Sequence, residues 1–131
     1  MDNCIFCKIV DGKIPCAKVY EDKNFLAFLD IGPVSKGHVL VIPKKHYRWV
    51  WDIANEESKL LMPVVQKIAK AVEKATRCNL VVMSVVGDEV PHAHIHLIPK
   101  FHGDGLNFWP KTEYAKGEME EFCKKIAKEL K

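Results

Sequence analysis

No stretch of the 131 residues approaches the roughly 20 consecutive apolar positions that a bilayer-spanning helix needs. The start Met1–Asp2–Asn3 has no basic character and no apolar run behind it, so no secretory leader is expected. Charge of one sign is scarce too. The net charge is +3, and the densest lysine groups lie at Lys44–Lys45 and in the last ten residues, where acidic residues are mixed in. That is the pattern of a solvated helix face, not of a nucleic-acid patch. Repeats, low-complexity tracts and Ser/Gly-rich linkers are absent. Cysteine is present but in an odd set, Cys4, Cys7, Cys16, Cys78 and Cys123. Without an export signal, five thiols argue against a disulfide framework and for a reducing compartment, the cytoplasm. What remains is a chain with 48% apolar and 28% charged residues, long enough for one hydrophobic core and too short for two ordinary domains.

The coarse elements follow from periodicity and punctuation. Residues 4–10 read as a short helical turn ended by Asp11–Gly12, and 17–21 and 25–29 as two strands around Asp22–Lys23–Asn24. A strand over 38–42 is closed by Pro43. Asn55 is placed to cap a helix in which Leu60, Leu61, Val64, Val65, Ile68 and Val72 form one apolar face. Pro63 falls inside that pattern and marks a kink or the helix's true start. The Val-rich run 80–86 predicts a central strand, and 118–130 an amphipathic helix with Met119, Phe122, Cys123, Ile126 and Leu130 on one side. Short connections between strands favour an α+β domain with an antiparallel sheet.

The informative segment is Val90–Pro91–His92–Ala93–His94–Ile95–His96–Leu97–Ile98–Pro99. Read as a strand, it places His92, His94 and His96 on one face at spacings of roughly 7 Å, and Ala93, Ile95 and Leu97 on the other. Three of the six histidines fall within five residues, which argues against a merely polar sheet face. Two chemistries remain open. His-x-His on a strand can present nitrogens to zinc, and a neutral imidazole flanked by others can attack phosphorus. Cys4-x-x-Cys7 is equally open: a zinc knuckle, a redox pair or two buried thiols.

The run His92–Ala93–His94–Ile95–His96–Leu97–Ile98 resembles the alternating pattern of the histidine-triad superfamily. Three further blocks extend the likeness: Cys4–Ile5–Phe6–Cys7–Lys8–Ile9, Leu26–Ala27–Phe28–Leu29–Asp30–Ile31, and Lys36 through His46. Their order and spacing are similar to the Hint-like branch and cover about residues 3–102. The resemblance implies one α+β domain over residues 1–131, with a five-stranded antiparallel sheet, a long helix, and a C-terminal extension and helix over about 103–131.

It also implies chemistry. Relatives transfer or hydrolyse nucleoside monophosphates through a covalent nucleotidyl-histidine. His94 corresponds to the nucleophile, and His96 and His38 to its catalytic neighbours. Phe6, Ile9, Phe28, Asp30, Ile31 and Glu89, with His94 and His96, correspond to nucleotide contacts, Asp30 at the ribose hydroxyls. The ligand expected is a purine nucleotide, and the activity a phosphoramidate hydrolase or transferase. The alternatives are a dinucleoside-polyphosphate hydrolase or a nucleotide-binding protein with little turnover. Relatives with the cysteine pair often hold structural zinc, which here maps onto Cys4, Cys7, His46 and His92. Cys16, Cys78 and Cys123 are then packing residues. Relatives are usually homodimers joined through a helix and a strand, here the long helix and 80–86, and Trp109 lies in a stretch that can approach the partner subunit. One departure stands out. The run 83–89 is about two residues short, and Asp88 stands where relatives carry a phosphate-binding Gln.

Overall fold

A computed structural model describes residues 3–105 and 110–130. Trp109 lies outside them. The elements run α1 (Ile5–Val10), β1 (Lys18–Glu21), β2 (Phe25–Leu29), β3 (Val39–Pro43), a 3-10 turn (Val50–Asp52), α2 (Asn55–Thr76), β4 (Leu80–Ser84), β5 (Ile95–Lys100) and α3 (Glu118–Glu129). The strands form one antiparallel sheet in the order β1-β2-β3-β5-β4.

Local chemistry explains the hairpin. Oδ1 of Asp22 accepts the Asn24 and Phe25 amides at 2.7 and 2.8 Å, an Asx turn that reverses the chain between β1 and β2. From there the alternation of strand side chains divides the core into two layers. Phe25, Ala27, Val39, Val41, Ala93, Ile95 and Leu97 face α2 and pack on Leu61, Val64, Val65, Ile68 and Val72. Leu26, Phe28, Leu40 and Ile42 point the other way, onto Cys4 and Phe6 around α1. Burial on both faces is why β2 and β3 read as nearly continuous apolar runs.

Four expectations change. The run 80–86 is not a central strand: β4 stops at Ser84 and forms an edge, with Met83, Val85 and Val86 exposed. Its valines are half covered, with β5 and α2 the main elements lying against it among the described residues. The histidine strand begins later than expected, at Ile95. Before it, the His92 amide bonds back to Val90 O and the Ala93 amide to Tyr47 O, so His92 and His94 sit on an extended lead-in. α2 starts at Asn55 with Ala54 as its N-cap, and Pro63 lies inside it on the solvent face. The ring there removes one helical donor to the Lys59 carbonyl where water has access. Cys123 is exposed, as are Met119, Phe122, Ile126 and Leu130 on the apolar side of α3, so Cys123 is not a buried packing residue among the described residues. No helix among the described residues is long and apolar enough to cross a membrane.

Candidate active site and metal cluster

Opposite α2 lie two histidine clusters, with Phe6 edge-on to His92 of one and to His94 of the other. The first gathers Cys4 and Cys7 from the start of α1, His46 from the loop after β3, and His92. Their donor atoms all lie within 4.8 Å of one another. Cys4 Sγ is 3.3 Å from His92 Nδ1, Cys7 Sγ 3.3 Å from His46 Nδ1, and Cys7 Sγ 3.5 Å from His92 Nδ1. Sulfur and nitrogen ligands on a shared tetrahedral zinc stand about 3.6 Å apart, so these separations suit the ion. The His92 ring is oriented for it. Its Nε2–H donates to the Pro43 carbonyl at 2.9 Å, which leaves the Nδ1 lone pair facing the thiols. Burial, with Cys4 beside it, pushes the Cys7 thiol up to about 11. A divalent cation reverses that preference, because a coordinated thiol loses its proton. Burial likewise lowers His92 below the usual imidazole range, keeping it neutral.

The second cluster lines a cavity of about 580 Å³. His94 is buried, with its ring edge-on to Phe6 at 5.0 Å between centroids, and Phe6 in turn meets Phe28 at 5.5 Å. The Nδ1–H of His94 donates to the His92 carbonyl at 2.6 Å. Its Nε2 therefore carries the lone pair. Beside it runs a chain of hydrogen bonds with the opposite polarity. The Val34 amide donates to His38 Nδ1 at 3.1 Å, and so His38 Nε2 holds the proton and donates to His96 Nδ1 at 2.9 Å. That leaves His96 with an Nε2–H. Burial lowers His38, and burial plus the neighbouring His94 and His38 bring His96 down to about 4. Both rings are neutral near pH 7. Asp30 faces them with Oδ2 at 3.7 Å from His38 Nε2, while its Oδ1 takes the Gly32 amide at 2.8 Å.

Asp30, His38 and His96 also have ligand-type atoms in mutual reach. They are nonetheless a poor metal site. A metal on His38 Nε2 would force the proton to Nδ1, against the Val34 N–H already there.

All the residues that sequence reasoning assigned to nucleotide and catalysis line the cavity: Phe6, Ile9, Phe28, Asp30, Ile31, His38, Glu89, His94 and His96. Phe6 and Phe28 also belong to the core around α1, so packing and pocket wall are one role for them. Ile31 is fully exposed and is not a core residue at all. Asp88 lines the cavity, and its side chain has no hydrogen bond or ion pair among the described residues.

Sequence reasoning missed the clamp that holds this last stretch. Arg48 Nη2 donates to the Gly87 carbonyl at 3.0 Å, and its guanidinium lies 3.8 Å from the Trp49 ring centroid. Trp49 stacks on Trp51 at 4.9 Å and 8°. Gly87 adopts φ +68, and a Cβ there would collide with the Trp49 indole. No sequence pattern pairs Gly87 with Trp49, which lies 38 residues before it.

Comparison with known proteins agrees with this geometry. The family described as "HIT domain" matches residues 11–103. Adenosine 5'-monophosphoramidase hnt1 of Schizosaccharomyces pombe is 38% identical, covering 98% of this chain and 99% of that protein. Among solved structures, SMU.412c from Streptococcus mutans superposes with a TM-score of 0.90 at 38% identity, over 100% of this chain and 87% of its own. A zinc-bound histidine triad family protein from Mycobacterium smegmatis gives a TM-score of 0.74 at 35% identity, over 86% and 85% of the two chains. The chain belongs to the HIT domain family.

Proposed function

We propose that this protein hydrolyses nucleoside phosphoramidates, releasing the nucleoside monophosphate and an amine, through a nucleotidyl intermediate on His94. One observation carries the reading. His94 is buried beside the cavity with Nδ1 tied to the His92 carbonyl at 2.6 Å, which leaves an uncommitted lone pair on Nε2. A neutral imidazole so oriented is a nucleophile at neutral pH. The likeness to an adenosine 5'-monophosphoramidase favours an adenine nucleotide and a P–N bond.

In the forward step, the Nε2 lone pair of His94 bonds to phosphorus and the electron pair of the scissile P–N bond stays with the leaving nitrogen. The anionic phosphate favours protonation of His96, and the leaving nitrogen takes that proton from His96 Nε2. Asp30 steadies the charged ring, since a carboxylate nearby favours an imidazolium. Water then adds to phosphorus and returns a proton to His96, and the bond to His94 breaks. The His94 imidazolium formed in between is held by its hydrogen bond to the His92 carbonyl. Phe6, Ile9, Phe28 and Ile31 enclose base and sugar, Asp30 meets the ribose, and Glu89 closes the phosphate end.

Zinc held by Cys4, Cys7, His46 and His92 is structural in this reading, because four protein ligands leave no open position for substrate. It ties α1 to the segment that presents His94. The active form is a homodimer paired through α2 and the exposed edge β4, where Leu60, Met62 and Met83 are each about half exposed. The test is turnover of an adenosine phosphoramidate with an alkaline quench. Wild type should show AMP attached to the peptide containing His94, and His94→Ala neither adduct nor turnover. Full turnover in His94→Ala would refute the mechanism.

A further inference from the structure

The cavity has an odd charge for one that receives a phosphate. Among the described residues lining it there is no lysine and no arginine, yet there are three carboxylates, Asp30, Asp88 and Glu89. Asp30 is committed to Gly32 and His38. Asp88 and Glu89 are exposed, and neither has an ion pair or hydrogen bond among the described residues. Nor is their backbone free to carry them off. Gly87, immediately before them, is pinned in a left-handed conformation by the Trp49 ring and by the Arg48 bond to its carbonyl. The guanidinium that bonds the Gly87 carbonyl stacks on the Trp49 indole and is not among the residues that line the cavity.

Two exposed, unneutralised carboxylates beside a held glycine set a preference by Coulomb's law. A phosphoryl group with a single negative charge can be held by the His96 N–H. A second anionic group on the leaving side meets like charge, and a cation there meets opposite charge. At about 6 Å and the dielectric of water that suits exposed groups, each carboxylate is worth about threefold per unit charge, and so about tenfold between a cationic and an anionic leaving group.

We propose that Asp88 and Glu89, held at the cavity mouth by the Arg48–Trp49 clamp on Gly87, are specificity-determining residues. They select nucleoside phosphoramidates whose leaving amine bears a second, protonated amino group. They reject leaving groups that are themselves anionic, dinucleoside polyphosphates included. The inference rests on the His94 reading above and adds no chemical step to it: the same P–N bond breaks, and only the distal charge of the amine is new.

Three AMP amidates of matched length test it, formed from 1,2-diaminoethane, propylamine and glycine. The ratio of kcat/KM for the cationic over the anionic leaving group should be about 100 in the wild type and shrink in high salt. In the Asp88→Asn/Glu89→Gln double variant it should fall toward about one. Trp49→Ala and Arg48→Met keep both carboxylates and should lower the ratio part of the way, with folding and zinc content checked in each. A wild-type ratio near one, or a ratio unmoved by the double variant, overturns the selection. A ratio unmoved in both folded clamp variants overturns the role of the clamp. Calorimetric titration of the same three amidates into His94→Ala separates this from the catalytic reading. If none is turned over by the wild type yet the affinity order persists, the nucleophile assignment falls and the selection stands.

Discussion

His92 and His94 are two residues apart, and each gives one ring N–H to a backbone carbonyl, yet the two rings face opposite tasks. In His92 the tethered nitrogen is Nε2, bonded to Pro43 O, so Nδ1 looks at two thiols. In His94 it is Nδ1, bonded to the carbonyl of His92 itself, so Nε2 carries the lone pair beside the cavity. The rings beyond them continue the contrast. His46 turns Nδ1 to sulfur, whereas His38 uses Nδ1 to accept the Val34 amide and is left with a donor. The difference teaches that imidazole clusters are told apart by what occupies the second nitrogen. Backbone groups, not side chains, make that choice here.

The comparison breaks most visibly by removing one member at a time. His94→Ala should lower phosphoramidate turnover by about 10⁴-fold or more while about one zinc per chain is retained, as read by steady-state kinetics and metal analysis. Activity and metal lost together would mean that the clusters are not separable. Next in size, Cys4→Ser/Cys7→Ser should abolish zinc binding and lower stability by several kcal/mol, seen as a fall in Tm that added zinc does not restore. Unchanged metal content would remove the first cluster from the picture.

His38→Ala sharpens the contrast within the cavity. Without the Nε2–H of His38, His96 can adopt either tautomer, and kcat should drop about 10- to 100-fold with zinc content untouched.

The smallest effect is on pH dependence. Burial lowers His96 to about 4, below its unfolded value of 6.5, so between those limits the unfolded chain binds a proton that the folded chain refuses. Its contribution is thus full above about pH 6.5 and is lost as pH falls toward 4. Solvent screening leaves roughly 1 kcal/mol of effect. In His96→Asn, Tm should fall less steeply with acid over that window, and equal slopes would contradict the assignment.

The strands, the long helix and the C-terminal helix were all legible because each has its own period. The residues brought to the cavity and to the metal cluster were legible because the blocks that carry them are short and ordered. What the sequence did not reveal depends on long-range pairing. Residues 80–86 are apolar enough for a sheet centre, and among the described residues no strand pairs beyond β4, which makes them an edge. The alternation from His92 to Leu97 looked like one strand, but pairing with β3 begins at Val41↔Ile95, and the Tyr47 carbonyl draws the Ala93 amide aside. The contacts of Trp49 and Trp51 leave no mark on the sequence pattern either. They stack on each other, and Trp49 closes on Gly87 from 38 residues away. The tautomers were equally out of reach, since Pro43 O, His92 O and the Val34 amide are backbone groups whose positions no side-chain pattern records.

Those tautomers are open to direct measurement. Long-range ¹H–¹⁵N correlation of the imidazole nitrogens in the zinc-loaded protein near pH 7 reads which nitrogen of each ring carries hydrogen. His94 should be protonated at Nδ1, and His38, His92 and His96 at Nε2. A His94 ring protonated at Nε2, with its lone pair on Nδ1, would contradict the division of labour between the two clusters.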